Sequence, residues 1–248
     1  MYKKDMAILI VSCDKYADLW DIFLQLKNKY WKQCEYVTYI GSNYKKIDER
    51  ECSCITIGED KTWTENTLEM LKKINHEYVL MLLEDHFIID YVDNEKIDKL
   101  LQYAIKENTD CLRVYPSPRP CNVIDKELGI GEVKLTAPYC ISTMPAIWRK
   151  DSLMKLLEIP QSAWEFEQVN SKNALNSSLN IKCTIDPCIN ICNGVERGKW
   201  YSSTVKLLEN NGIYVDISKR GVINNDGLWH KLYGKIYVII QNFRAKYL

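Results

Sequence analysis

Residues 78–83, Tyr-Val-Leu-Met-Leu-Leu, form an unbroken apolar run, and Glu84, Asp85 and His86 follow it at once. A continuous apolar run without alternation predicts a strand buried on both faces of a sheet. Residues 7–12 repeat the pattern and stop at Cys13-Asp14-Lys15-Tyr16. From 16 to 29 the period changes: Leu19, Trp20, Phe23, Leu24 and Leu26 fall at helical spacing. Residues 36–40 predict a second strand, closed by Gly41-Ser42-Asn43 and followed by a polar, Lys-rich loop. A short third strand at 54–57 ends at Gly58-Glu59-Asp60, and Thr64 to Thr67 open a helix carrying Leu68, Leu71 and Ile74. The first ninety residues therefore read β-α-β-β-α-β, which predicts a mostly parallel sheet with right-handed crossovers.

The pattern continues less clearly. Asp93 or Asn94 caps a helix with Ile97, Leu100, Leu101, Ala104 and Ile105 on one face. Residues 111–115 predict a strand, and the run Pro116-Ser117-Pro118-Arg119-Pro120 breaks it into a loop. A strand over 139–148, a short helix over 151–158, a helix beginning at Ser162 and a strand over 181–185 follow. Residues 195–200 lie in a Gly-containing loop. The tail, 227–248, is helical in pattern, with Trp229, Leu232, Tyr233, Ile236, Val238, Ile239 and Phe243 apolar. No Pro/Gly-rich linker divides the chain. One domain is expected, with residues 1–90 as a nucleotide-binding half, 91–226 as an acceptor-binding half and 227–248 as a C-terminal helix.

Bulk composition changes little. The 248 residues are 46% hydrophobic and 27% charged, and Lys plus Arg equal Asp plus Glu at 33 each. A zero net charge gives no footprint for nucleic acid as a partner. No apolar run approaches the roughly 20 residues of a membrane span, and the N-terminal run is too brief and wrongly flanked for a signal peptide. The ten cysteines contain no Cys-x-x-Cys pair and no His at zinc-ligand spacing. Reduced, mostly buried thiols in a cytoplasmic protein are the expectation.

Chemistry concentrates where the strands end, since ligands of open α/β sheets sit outside the carboxyl ends of the strands. Glu84, Asp85 and His86 lie at such an end, where a carboxylate and a second ligand two residues on can chelate a cation that also holds a diphosphate. On an extended segment Glu84 and His86 point one way and Asp85 the other. In these features the sequence resembles glycosyltransferases of the GT-A fold, which carry an Asp-x-Asp-type motif at the end of a core strand after about a hundred residues of Rossmann-like structure. Glu84-Asp85-His86 looks like a variant, with His86 where the metal-binding Asp usually stands. The resemblance implies an α/β fold: a single GT-A-like, Rossmann-like domain, a mostly parallel central sheet flanked by helices, and a C-terminal amphipathic helix.

It also implies an activity, the transfer of a sugar from a nucleotide donor, uridine-linked, to a glycan or lipid-linked glycan acceptor, in the manner of small bacterial enzymes of capsule or O-antigen synthesis. Mn2+ or Mg2+ is the expected cofactor, held by Asp85, His86 and a late histidine, His230; the alternatives are that Asp85 or Glu84 carries the metal alone or that no metal is used, and a lone His beside Trp229 also fits simple packing. Ser12, Asp14 and Tyr16 after the first strand, Asp60 and Trp63 after the third, and Glu84 and Asp85 are expected to contact the donor. Asp14 alone would equally serve as a helix cap. Arg197 and Lys199 can offset leaving-group charge. The resemblance places a general base near the start of a helix beyond the acidic tip, where Glu165 and Glu167 both qualify. Ser162-x-x-Glu165 is a capping-box pattern, so Glu167 is preferred.

The tail mixes Lys231, Lys235, Arg244 and Lys246 with a broad apolar face. Such a helix can lie on an anionic membrane surface, giving peripheral contact at the inner face of the membrane; packing on the sheet is the competing expectation. A non-catalytic nucleotide- or sugar-binding module and a nucleotidyltransferase are the alternatives. The second usually needs a Gly-rich phosphate loop near the N-terminus, and residues 12–20 contain no Gly.

Overall fold

The computed structural model describes residues 5–47 and 52–224. The first ninety residues build β1 (Met6–Val11), a 3-10 helix (Asp14–Leu19), α1 (Trp20–Tyr30), β2 (Thr38–Ser42), β3 (Ser53–Thr56), α2 (Trp63–Lys72) and β4 (Tyr78–Leu83). This is the order read from the hydrophobic pattern. The remainder comprises β5 (His86–Ile88), α3 (Asn94–Lys106), β6 (Cys111–Arg113), β7 (Asn122–Asp125), β8 (Ile130–Glu132), β9 (Ala146–Arg149), α4 (Lys150–Leu156), α5 (Ala163–Asn173), β10 (Ile181–Thr184), β11 (Ile191–Asn193), β12 (Val195–Glu196), β13 (Lys199–Tyr201), α6 (Ser202–Asn210) and β14 (Val222–Ile223).

Nine strands form one sheet in the order β3-β2-β1-β4-β9-β6-β10-β8-β7, and all but β8 and β9 run in one direction. Helices cover both faces, which is why β1 and β4 are apolar at every position. Met6, Ile8 and Ile10 of β1, with Leu80 and Leu82 of β4, pack towards α1 and α3. Ala7, Leu9 and Val11, with Val79 and Met81, pack towards α2, α4 and α5. Residues adjacent in sequence thus serve opposite faces of the sheet.

The chain leaves β1 for β2 and β3 on one side, then returns to β4 on the other side of β1. The carboxyl ends of β1 and β4 are therefore neighbours, with Val11 opposite Leu83. The connection that leaves β1 runs through α1 over one face, and the connection that enters β4 runs through α2 over the other. A crevice opens between them, as it does wherever strand order reverses in such a sheet.

Three expectations change. The strand over 139–148 shrinks to β9, because 134–145 is a run of turns in which Tyr139 holds φ 58°. Residues 195–200, expected as a loop, form the β12–β13 hairpin, with Val195 paired to Trp200 and Glu196 to Lys199. Residues 84–86 do not continue the extended strand. Glu84 and Asp85 make a two-residue turn, and His86 starts β5, which pairs with β11 in a separate two-stranded sheet. All ten cysteines are free thiols. Among the described residues no helix is long and apolar enough to cross a membrane. The expected helix over 227–248 and His230 lie outside the described residues.

Candidate active site

The crevice at the β1–β4 junction holds a cavity of about 350 Å³. Val11, Ser12 and Cys13 reach it from the end of β1, and Leu83, Glu84 and Asp85 from the end of β4. Tyr16 of the 3-10 helix, Asp60 and Lys61 of the β3–α2 loop, and Trp63 and Asn66 of α2 add walls. Ala163 at the start of α5 and Val195 and Arg197 of the hairpin close it. Of the residues singled out from the sequence, Ser12, Tyr16, Asp60, Trp63, Glu84, Asp85 and Arg197 line this one cavity.

The acidic tip is electrostatically tense. Burial, reinforced by the neighbouring Asp85 charge, pushes the Glu84 carboxyl up to about 8. Burial raises Asp85 to about 6, against a hydrogen bond from the Val195 backbone. Two adjacent, half-buried carboxyls that resist ionisation would be relieved by a cation. Asp60 sits in the opposite regime. The Lys15 ammonium, 2.8 Å away, holds it below the usual carboxylate range, and the Asn66 side-chain amide donates to its other oxygen at 2.8 Å.

Ser12 is fixed from behind. The Trp20 indole N–H donates to Ser12 Oγ at 2.7 Å. Because indole is a donor only, Ser12 must accept that bond, and its own proton is free to donate. The hairpin presents Arg197 at the first central position of a two-residue turn, with φ 49° at Arg197 and 78° at Gly198. Both signs suit the tight hairpin turn that matches strand twist. Gly takes such a φ freely, whereas Arg pays about 1–2 kcal/mol for it. A strained arginine aimed at a cavity is a functional signal.

The other expected residues fall elsewhere. Asp14 spends its carboxylate on the backbone N–H groups of Asn43, Tyr44 and Lys45, at 2.9–3.3 Å, so it ties the end of β1 to the end of β2. His86 turns inward. Its ring is buried, Nδ1 accepts the Leu83 backbone N–H at 3.2 Å, and burial drives its pKa down to about 3. It does not line the cavity, and the imidazole stays neutral. Lys199 is exposed on β13. Glu165 closes a full capping box with Ser162 and is held below its usual pKa by those hydrogen bonds, the structural role the sequence suggests.

Glu167 is different. It lies one turn beyond Ala163 and so shares the helix face that meets the cavity. Thr143 donates to its Oε1 twice, from the backbone N–H at 2.7 Å and the hydroxyl at 2.8 Å. Burial nevertheless raises its pKa, and Oε2 makes no hydrogen bond within the described residues.

Cys13, Lys61, Asn66 and Val195 belong to the cavity without being singled out from the sequence, although Cys13 and Lys61 sit inside stretches that are. Arg220 is a further omission, and no local pattern marks it. No group of three or more His, Cys, Asp or Glu able to hold a metal occurs among the described residues.

The sheet order and the helices on both faces define a Rossmann-like α/β fold of the GT-A-like kind. The S. aureus protein TarS, in complex with UDP-GlcNAc, superposes with TM-score 0.52 at 13% identity over 77% of this chain and 59% of that one. A longer S. aureus TarS structure gives TM-score 0.50 at 12% identity, covering 98% of this chain and 44% of that one. A cytidylyltransferase from Leptospira borgpetersenii serovar Hardjo-bovis gives 0.47 at 13% identity over 89% and 99%. The chain thus spans about half the length of the TarS structures it resembles. No protein-family model matches the chain, and no curated protein matches it.

Proposed function

We propose that this protein is an inverting glycosyltransferase that moves a sugar from a nucleotide donor, uridine-linked, to a hydroxyl of a glycan or lipid-linked glycan, in the synthesis of a bacterial surface polysaccharide. The observation that carries the reading is the meeting of Glu84 and Asp85 with Ser12, Tyr16, Asp60 and Trp63 in one cavity at a strand-order reversal; Glu167, which does not itself line that cavity, stands one turn beyond Ala163, which does. The likeness to TarS, solved with UDP-GlcNAc, supports the choice of donor.

In this reading Tyr16 and Trp63 border the nucleobase and Ser12 donates to one of its acceptor atoms or to the ribose. Glu167 Oε2 takes the proton of the acceptor hydroxyl while Thr143 holds Oε1. The acceptor oxygen then bonds to the anomeric carbon from the face opposite the diphosphate, and the bond from that carbon to the diphosphate oxygen breaks. The leaving nucleoside diphosphate carries away the electron pair, and Lys61 and Arg197 offset its charge. A divalent cation, Mn2+ or Mg2+, fits Glu84 and Asp85 because it would offset the cost of ionising both. Such ions are commonly held by one or two carboxylates plus substrate phosphates, so two protein ligands suffice. When bound, the cation would add to the charge stabilisation of the departing diphosphate. His86 has no place in that set.

Glu167→Gln keeps the Thr143 contact and removes the base. Transfer should fall by about 10²–10⁴, with donor affinity unchanged and Glu165→Gln turning over normally. Near-normal turnover by Glu167→Gln refutes the assignment. Release of pyrophosphate from CTP and a sugar phosphate would instead make the protein a nucleotidyltransferase.

A further inference from the structure

The guanidinium of Arg220, between α6 and β14, is committed to a set of partners far away in sequence. Its Nε donates to Asp18 Oδ2 at 2.7 Å and its Nη2 to Asp18 Oδ1 at 2.5 Å, a bidentate fork. Nη2 also donates to the Lys15 carbonyl at 2.9 Å, and Nη1 to the Gly198 carbonyl at 3.4 Å. The same group lies 4.7 Å over the Tyr16 ring. The side chain is only 11% exposed. Burial opposes ionisation of Asp18, but the Arg220 hydrogen bonds and charge outweigh it and hold that carboxyl below its usual range.

These contacts join three segments, namely the 3-10 helix after β1, the tip of the β12–β13 hairpin and the C-terminal segment. Two of the three bring residues to the cavity, Tyr16 from the first and Val195 with Arg197 from the second. With its charge matched by Asp18 and its donors spent on protein, Arg220 is poorly placed to serve as a free cation for a diphosphate. Its geometry instead fixes an aromatic wall. We propose that Arg220 is a positioning residue that clamps Tyr16 and the hairpin so that the ring is preformed for stacking of a planar nucleobase. This rests on the glycosyltransferase reading and goes beyond it, since it gives the described C-terminal segment a role in donor recognition. A lysine cannot replace the fork, because it is a point donor.

The test is calorimetric titration of the full chain with uridine diphosphate and, separately, with uridine. The proteins are wild type, Arg220→Gln, Arg220→Lys, Asp18→Asn, Tyr16→Ala and the Tyr16→Ala/Arg220→Gln double variant, each checked for fold by circular dichroism. Arg220→Gln and Asp18→Asn should each weaken uridine about tenfold, within the range of one lost base–aromatic stack, and uridine diphosphate by at least as much. Arg220→Lys should recover little of it. In the Tyr16→Ala background Arg220→Gln should cost uridine affinity nothing further. Unchanged affinities in folded variants overturn the proposal, as does a loss for uridine diphosphate but not uridine, which would mean a direct phosphate contact. Additive losses for uridine in the double variant also overturn it. Wild-type failure to bind uridine diphosphate overturns the proposed function and this inference together, whereas wild-type binding with unaffected variants overturns this inference alone.

Discussion

Glu84 and Asp85 are carboxyls that the folded chain keeps protonated where the unfolded chain would not. With folded values of about 8 and about 6, the folded state binds more protons than the unfolded state from about pH 4 upwards. Their contribution to stability therefore falls as pH rises through that window and is lowest above pH 8. Melting curves should show Glu84→Gln more stable than wild type at pH 8 and nearly equal to it at pH 4.5, with a flatter slope between. Parallel pH profiles would contradict this. Arg197 makes the same trade in backbone terms. Arg197→Asn suits a positive φ and should raise stability by up to about 1–2 kcal/mol while weakening nucleotide binding. Chemical denaturation and titration together check both halves, and a variant that binds normally would show that the strain serves some other end.

At the scale of elements, the hairpin depends on Gly194. A Cβ there would stand 2.6 Å from Cε2 of the buried Phe87 ring, and the Gly194 N–H donates to the Asp85 carbonyl at 2.7 Å. Gly194→Ala should push the hairpin away from β5, disturb the Glu84–Asp85 turn and cost about 1–3 kcal/mol, as overpacked sites do. Nucleotide affinity should fall with it, and a variant of wild-type stability and affinity would refute the coupling. Elements of this kind were hard to read in advance. β5, β7, β8 and β11 are three or four residues long, too short for alternation or helical spacing to register, and they exist because distant partners supply their hydrogen bonds. His86 shows the cost of missing them. Its position two residues after Glu84 suggested a shared metal ligand, but the turn at 84–85 folds its ring into the interior. The Ser162–Glu165 capping box, by contrast, is a local motif, and both its presence and its consequence for Glu165 follow from four residues.

At the scale of the molecule, the hydrophobic pattern of the first ninety residues was enough to place the crevice between β1 and β4. Unbroken apolar runs marked β1 and β4 because both faces of the sheet are covered, and ionisable residues at their ends marked the crevice. The preference for Glu167 over Glu165 as the proposed base came from a motif, since Ser162 occupies Glu165 in a capping box. What stayed hidden is what the tertiary fold assembles: the antiparallel β9 between β4 and β6, the strained turn beneath Arg197, and Arg220 closing on Asp18. The proposed donor site around Glu84 and Asp85 depends on the reversal of strand order between β1 and β4. The most direct test is the thermal shift produced by a uridine diphosphate sugar with Mn2+, measured on wild type and on the Glu84→Gln/Asp85→Asn pair. A ligand bound only by the folded state at one hundred times its Kd adds about 2.7 kcal/mol, so wild type should melt several degrees higher, and the pair should lose most of that gain. No shift with any nucleotide sugar, or an equal shift in both proteins, would contradict the assignment.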